Sequence, residues 1–166
     1  RNFHGGDAGP GCSFGREMTD LNIETHKILS SDAMEAFGMR LALKIPVGTV
    51  IGLKGELGSG KTTFAQGFAK GLGINDHVTS PTFKIVSEYD GESCALFHVD
   101  CYRLNDYIEF ISIDAERLLY PEDGITLIEW ADRIEEIIPE HCPCINFKMD
   151  DDFENHRVVN LIGFNF

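Results

Sequence analysis

The amino-acid sequence predicts a three-layer α/β fold around a largely parallel central sheet. Compact apolar runs alternate with segments whose apolar residues recur at helical spacing, a pattern typical of strands covered by helices on both faces. The runs at 49–55 and 124–130 are largely apolar, as expected of interior strands in a parallel sheet. At 166 residues the chain is long enough to bury a sizeable core in one such domain.

The first half of this domain is predicted to place two helices between strands. Residues 22–29 suit a short strand. Apolar residues then recur at helical spacing over 34–45, and Ser31 or Asp32 can cap the start of that helix. A second helix is expected at about 61–72, directly after the first apolar run, because its apolar residues share one side.

The second half continues the alternation of strands and helices. A loop at 78–83, which contains a proline, comes first. Near the end of this half, Pro139 is expected to stop a short helix at 131–138. The predicted elements are a strand and turn at 83–91, an interior strand ending near Asp100, a helix at 107–119, a strand at 124–130, a short helix at 131–138, and strands at 144–149 and 157–163.

The two ends of the chain differ in composition. Residues 1–20 are rich in glycine and lack the apolar core of a signal peptide, so we expect a flexible N-terminal extension. Residues 21–166 contain no repeat or low-complexity segment. They are expected to form a single domain.

Charge and cysteine content restrict the functions open to this domain. The chain has 14 Lys and Arg against 27 Asp and Glu, and a net charge of −13 repels nucleic-acid phosphates. If the protein serves RNA, we therefore expect a partner to hold that RNA. The sequence has no long apolar run that predicts a membrane span, and its five cysteines suit reduced thiols in a cytoplasmic protein.

A phosphate-binding loop is the most specific motif. Residues 55–62 read GELGSGKT, which matches G-x-x-x-x-G-K-[ST] between an apolar strand and an amphipathic helix. Inward-pointing N–H groups and the helix N-terminus can bind phosphate, Lys61 can reach the β- and γ-phosphates, and Thr62 can offer its hydroxyl to Mg²⁺. The structural alternative is a glycine turn that happens to precede a helix. The predicted nucleotide-binding residues of this P-loop are Gly55, Glu56, Leu57, Gly58, Ser59, Gly60, Lys61, Thr62 and Thr63, and the domain is predicted to be P-loop NTPase-like.

Two carboxylates are candidates for the catalytic and metal-binding groups that a P-loop site needs beside its lysine. Asp100 and Glu129 follow apolar strands, and ligands of open α/β sheets collect at the carboxyl ends of strands. Either side chain could hold Mg²⁺ directly or through water, and Glu129 could also polarise water. The structural alternative is that one of them caps a helix or pairs with Arg103 or Arg133.

Three further residues have both a functional and a structural interpretation. Thr82 belongs to the segment TSPT, where hydroxyls could sense the γ-phosphate or merely form a turn around the proline. Trp130 could cover the nucleotide, stack on a partner or pack in the core. His98 shares a strand face with Asp100 and is expected to be a hydrogen-bonded structural histidine.

These motifs together resemble the TsaE (YjeE) family of small bacterial ATPases. The stretches GELGSGKTTFAQGFAKGLG, SPTF, FHVDCYRL and IEW follow one another in that order, and the resemblance covers about residues 31–130. The P-loop alone is generic. The ordered set is specific to the family.

The resemblance implies ATP binding and hydrolysis with Mg²⁺, together with the partner proteins TsaD and TsaB. These proteins make threonylcarbamoyladenosine in tRNA, and the TsaE member is expected to reset the TsaD–TsaB assembly without transferring the group or gripping tRNA itself. By motif, Lys61 and Thr62 would bind phosphate and Mg²⁺, and Glu129 would bind the metal. The other residues assigned to the site are Asp100, Thr82, Trp130 and, beside the base, Ser31.

The sequence leaves other functions open. A P-loop small-molecule kinase would need an arginine-bearing lid, for which Arg103 and Arg117 are the central candidates. A GTPase-like switch has less support, because the chain contains no NKxD or TKxD stretch to recognise guanine. A nucleotide-gated interaction module would hydrolyse ATP only incidentally. For the ATPase we expect slow turnover without partners, because no arginine is obviously placed to contact the transferred phosphate.

Overall fold

The computed structural model describes residues 22–166, which form one sheet with helices on both faces. The strands are β1 (Ile23–Ile28), β2 (Val50–Lys54), β3 (Val86–Tyr89), β4 (Ala95–Asp100), β5 (Gly124–Glu129), β6 (Cys144–Met149) and β7 (Arg157–Ile162). The helices are α1 (Ser31–Ala42), α2 (Lys61–Gly71), α3 (Tyr107–Ile111), α4 (Ala115–Leu119) and a 3₁₀ helix (Ala131–Ile137). The extension expected at residues 1–20 lies outside the described residues. Within 22–166, no helix is long and apolar enough to cross a membrane.

The seven strands lie in the order β1-β7-β6-β2-β5-β4-β3. Strands β6, β2, β5 and β4 pair in parallel with their neighbours in that order. Strand β1 runs in the same direction as these four, because it is antiparallel to β7 and β7 is antiparallel to β6. Only β7 and β3 are reversed within the described sheet, so the predicted largely parallel sheet is confirmed.

Apolar side chains fill both sides of the sheet. On one face, Phe64 of α2 packs against Phe37 of α1 and Phe147 of β6, with ring centroids 6.0 and 5.4 Å away. On the other face, Phe97 and Phe110 belong to a second buried cluster with α4 and the 3₁₀ helix. The predicted three-layer α/β architecture is therefore confirmed.

Helices α1 and α2 approach each other at glycines. A Cβ atom added to Gly67 of α2 would overlap the carbonyl oxygen of Glu35 in α1. A Cβ atom added to Gly38 of α1 would meet the backbone of α2, including the amide nitrogen of Phe68 at 2.8 Å. Since backbone cannot yield as a side chain can, both positions require glycine for space.

Replacing Gly67 by alanine should therefore destabilise the fold by about 3 kcal/mol, the upper part of the range for overpacked cores. Urea unfolding followed by circular dichroism measures this change. In a helix without such crowding the same substitution stabilises by about 1 kcal/mol, because glycine is a poor helix former. A variant more stable than the unmodified chain would contradict the observed helix contact.

Two local predictions need correction. The single helix expected at 107–119 is two short helices, α3 and α4, because Asp114 adopts a left-handed conformation (φ 63°) that interrupts helical hydrogen bonding. Helix α1 is capped by Ser30, whose hydroxyl accepts a hydrogen bond of 3.1 Å from the amide of Ala33. The expected cap residues Ser31 and Asp32 are already inside the helix.

Candidate functional site

The P-loop connects the end of β2 to the start of α2. Gly60 precedes the helix in a left-handed conformation (φ 103°), which glycine adopts without steric cost. No side chain caps α2, so the first amides of this helix have no side-chain acceptor. Free amides and the helix dipole at this end favour an anion.

Lys61 lies inside the loop. Its side-chain nitrogen donates hydrogen bonds to the carbonyl oxygens of Gly55 (2.6 Å) and Glu56 (2.9 Å), and the residue is only 7% exposed. Burial lowers the pKa of Lys61 below the ordinary lysine value of 10.5, although the nearby carboxylates of Glu129 and Asp100 oppose that shift. The ammonium group is therefore held where a phosphate bound in the loop would meet it.

If the loop binds ATP, the lowered pKa of Lys61 predicts that this binding depends on pH. A bound triphosphate favours the ammonium form, so above the pKa of Lys61 in the free protein each binding event must take up a proton. Affinity should then fall as pH rises, by up to about tenfold per pH unit, and the fall should begin below the ordinary lysine range. Calorimetric titration between neutral and alkaline pH checks this prediction. An affinity that stays flat while circular dichroism shows a folded protein would contradict it.

The two predicted carboxylates are brought together at the same edge of the sheet. Asp100 of β4 and Glu129 of β5 are direct neighbours in the parallel register, and Glu129 also pairs with Leu53 at the end of β2. Each carboxylate residue is 3% exposed. Strand β2, which leads into the P-loop, thus places the start of the loop next to Glu129.

Glu129 receives a buried partner from the neighbouring strand. Nε2 of His98 lies 2.9 Å from Oε1 of Glu129, and the imidazole is fully buried. Within 22–166, Nδ1 of His98 has no hydrogen-bond partner. His98 is thus a hydrogen-bonded histidine, as expected, and it fixes the orientation of one oxygen of Glu129.

Asp100 holds the segment that follows α2. Its Oδ2 atom accepts hydrogen bonds from the hydroxyls of Ser80 (2.9 Å) and Thr82 (2.8 Å). Its Oδ1 atom accepts one from the amide of Tyr102 at 2.9 Å. The segment 79–82 therefore contacts the site through Asp100 and is more than a local turn around Pro81.

The arginines considered as partners of the carboxylates lie elsewhere. The guanidinium of Arg103 stacks over the ring of Phe83, 4.1 Å from its centroid. Arg133 donates a hydrogen bond to the carbonyl oxygen of Leu104 at 3.2 Å. Lys61, by contrast, interacts electrostatically with both carboxylates.

Trp130 adjoins the P-loop lysine. Its ring lies 5.5 Å from the Nζ atom of Lys61 and 5.0 Å from the ring of Tyr102. The residue has a positive φ of 56°, which is unusual for a bulky side chain and redirects the chain after β5. Trp130 is partly buried, so it both packs against the second core cluster and presents surface to the site.

The other predicted site residues differ in how far they are buried. Thr62 and Thr63, partly buried, lie in the first turn of α2, directly after the glycines of the loop. Leu57 is 91% exposed, so only its backbone can belong to a phosphate site. Ser31 is exposed at the start of α1, and Met34, one turn later, lies within 3.0 Å of where a Cβ of Gly60 would be.

One residue beside the loop was missed by the sequence reasoning. Nη2 of Arg157 donates a hydrogen bond to the carbonyl oxygen of Gly58 at 3.1 Å. The two residues are far apart in the chain, and only the sheet order β2-β6-β7 brings them together. No local motif signals this contact.

The donors and acceptors of this edge fit a triphosphate with Mg²⁺. The hydroxyl of Ser59 is buried beneath the loop and has no hydrogen-bond partner among the described residues. Residues 22–166 contain no group of three or more His, Cys, Asp or Glu side chains that could hold a metal ion. Proteins usually bind Mg²⁺ through one or two carboxylates plus substrate phosphates, and Glu129, Asp100 and the Thr62 hydroxyl offer such a set.

Comparison with known proteins relates this site to a family. The family model described as "Threonylcarbamoyl adenosine biosynthesis protein TsaE" matches residues 28–159. The chain is similar to the tRNA threonylcarbamoyladenosine biosynthesis protein TsaE of Bacillus subtilis, with 41% identity over 116 residues, 70% of this chain and 72% of that protein. It is 36% identical over 135 residues to the protein of the same name from Borreliella burgdorferi, covering 81% of this chain and 96% of that one.

A solved structure shows the same fold. The crystal structure of Bacillus subtilis YdiB matches with a TM-score of 0.69 and 32% sequence identity, over 86% of each chain. The family match runs from the end of β1 into β7 and includes the P-loop, Asp100 and Glu129. This chain therefore belongs to the TsaE family of threonylcarbamoyl adenosine biosynthesis proteins.

Proposed function

We propose that this protein is a cytoplasmic, Mg²⁺-dependent ATPase that acts on a TsaD–TsaB complex during threonylcarbamoyladenosine modification of tRNA. The observation that carries the proposal is the position of Lys61. Its ammonium group lies inside a glycine-rich loop at a helix N-terminus and interacts with two neighbouring strand-end carboxylates. Family membership supplies the pathway.

Each group of the site has a role in this reaction. Lys61 and the amides of the loop and of the first turn of α2 would bind the β- and γ-phosphates and stabilise charge that develops as the terminal phosphoryl group leaves. Thr62, Glu129 and Asp100 would hold Mg²⁺, which neutralises phosphate charge when bound. Glu129, with one oxygen fixed by His98, could use the other to orient the attacking water.

The hydroxyl groups that donate to Asp100 would link the nucleotide to the segment 79–82. Ser80 and Thr82 both donate to the Oδ2 atom of Asp100. If Asp100 turned toward a metal ion, these two bonds would rearrange, and the surface around the segment 79–82 would change with them. A partner that contacts this surface could then distinguish the ATP-bound from the ADP-bound protein.

An indirect relation to tRNA follows from the charge. A net charge of −13 disfavours binding to a phosphate backbone. In the proposed arrangement TsaD and TsaB hold the tRNA, and this protein acts on them. Slow turnover is expected for the isolated chain, since the described arginine beside the loop, Arg157, contacts a backbone carbonyl.

The kinase alternative has less support. Of its two lid candidates, Arg103 lies over Phe83, and Arg117 forms a bidentate pair with Glu88 at 2.7 and 3.1 Å. Both guanidinium groups therefore already have side-chain partners of their own. A phosphorylated metabolite formed in stoichiometric yield would nevertheless favour the kinase.

A pull-down with purified TsaD and TsaB tests the proposal. Tagged protein should retain both partners, with a clear difference between ATP, ADP and no nucleotide. Adding the protein to TsaD and TsaB should also raise the yield of modified tRNA over many turnovers. Absence of any partner retention with ATP, together with unchanged yield, would contradict the proposed role.

A further inference from the structure

We propose that Arg157 is a positioning residue for the P-loop, which holds the loop tip in the conformation that binds phosphate. The inference rests on the proposed nucleotide-binding function. It adds a residue from the far end of the chain that lies outside the motifs at 55–73, 80–83, 97–104 and 128–130. Its basis is one guanidinium group that joins the hairpin between β6 and β7 to the loop.

The guanidinium is fixed on its own hairpin by two carbonyl oxygens. Nη1 of Arg157 donates to the carbonyl oxygens of Glu154 (2.6 Å) and His156 (2.8 Å). Nη2 is thereby directed to the carbonyl oxygen of Gly58 at 3.1 Å. Because the fork of an arginine is planar and rigid, fixing one nitrogen largely determines where the other donates.

The hairpin itself is an ordered platform. Oδ1 of Asp150 accepts hydrogen bonds from the amides of Asp152 (3.0 Å) and Phe153 (3.2 Å). Oδ2 of Asp150 pairs with Nζ of Lys27 on β1 at 3.0 Å, and these interactions hold the pKa of that carboxyl below its usual range. The side chain of Met149 also lies 3.7 Å from where a Cβ of Gly58 would be. The hairpin is therefore in contact with the loop and organised independently of it.

The peptide unit between Gly58 and Ser59 is the part of the loop that needs such support. Gly58 has a positive φ of 79° and stands third in a turn closed by the Ser59 amide on the carbonyl oxygen of Glu56 at 3.1 Å. An exposed glycine can rotate its peptide at little steric cost. The Glu56 carbonyl holds the N–H of this unit and Arg157 holds its C=O, so both ends are fixed.

Charge adds to this effect. The hairpin carries Asp150, Asp151, Asp152 and Glu154, which would repel a triphosphate. Arg157 places a permanent positive charge beside the loop in the same region. Its loss should weaken nucleotide binding both by freeing the peptide and by leaving the acidic groups unopposed.

Two substitutions of Arg157 separate positioning from charge. Arg157→Met removes both, and Arg157→Lys keeps the charge but replaces the planar fork, whose two nitrogens hold the hairpin and the loop, by a single nitrogen. We expect ATP to bind about five- to tenfold more weakly to Arg157→Met, an effect of the size of one partly exposed charge-assisted hydrogen bond. In Arg157→Lys, ATP binding should be weakened by at least half of that factor. Wild-type affinity in either variant would overturn the positioning role.

The control is Arg117→Met, which removes an arginine paired with Glu88 of β3, at the opposite end of the strand order from β7 and β1. It should bind ATP within twofold of the unmodified protein. Hydrogen exchange without nucleotide provides a second readout: amides 57–60 should exchange severalfold faster in Arg157→Met than in the control, at unchanged thermal midpoint. Equal exchange rates would overturn the contact. If the unmodified protein fails to bind ATP, the proposed function fails, whereas the exchange comparison still decides the role of Arg157.

Discussion

Replacing Lys61 by alanine is expected to weaken ATP binding by about a hundredfold or more. The ammonium group would make charge-assisted hydrogen bonds to phosphate, worth about 1.5–3 kcal/mol each, and in the free protein it is already inside the loop. Its removal also takes away a positive charge that interacts with both Glu129 and Asp100. Isothermal titration calorimetry with Mg²⁺ and ATP measures the loss.

Lys70 provides a matched control on the same helix. It pairs with Glu35 at the surface, at the opposite end of α2 from the loop. Lys70→Ala should bind ATP within twofold of the unmodified protein. If Lys61→Ala bound ATP within about threefold of the unmodified protein, the loop would not be the phosphate site.

Replacing Glu129 by glutamine is expected to lower the rate of ATP hydrolysis by about a hundredfold, while ATP affinity changes only a few fold. Glutamine keeps the size of the side chain and an oxygen or nitrogen near Nε2 of His98, so the fold should tolerate it. It removes the negative charge that would hold Mg²⁺ or orient water, groups whose loss typically costs a few kcal/mol in the transition state. Phosphate release under saturating ATP measures the rate.

The corresponding control is Glu88→Gln, an exposed glutamate of β3 that pairs with Arg117. Its hydrolysis rate should be unchanged. A Glu129→Gln variant that hydrolysed ATP at the normal rate would remove Glu129 from the mechanism. If the variant lost hydrolysis but still supported tRNA modification with TsaD and TsaB, the protein would be a nucleotide-gated interaction module.

The position of the glycine-rich loop between β2 and α2 was predictable because its residues are contiguous in the sequence. Eight successive residues determine the turn, the lysine and the helix start, and the apolar strand before them fixes their place in the fold. Asp100 and Glu129 were predictable as neighbours for a related reason, since carboxyl ends of parallel strands share one edge. Helix α2 ends at Gly71, close to the expected limit at 72, and Gly73 beyond it adopts a left-handed conformation.

What the sequence did not predict depends on distant pairing or on one unusual dihedral angle. Apolar periodicity continues across 107–119, so the left-handed conformation of Asp114 that splits this helix leaves no signal in the pattern. The contacts of His98 with Glu129 and of Arg157 with Gly58 require the register of β4 on β5 and the order β2-β6-β7. Neither register nor strand order follows from alternation alone.

A crystal structure with Mg²⁺ and a non-hydrolysable ATP analogue tests the central claim most directly. The account predicts the triphosphate enclosed by backbone amides of residues 56–63, with Lys61 turned from the Gly55 and Glu56 carbonyls to the phosphates. The metal ion should contact the Thr62 hydroxyl and be reached, directly or through water, by Glu129 or Asp100. A nucleotide bound elsewhere, or a metal ion out of reach of both carboxylates, would contradict it.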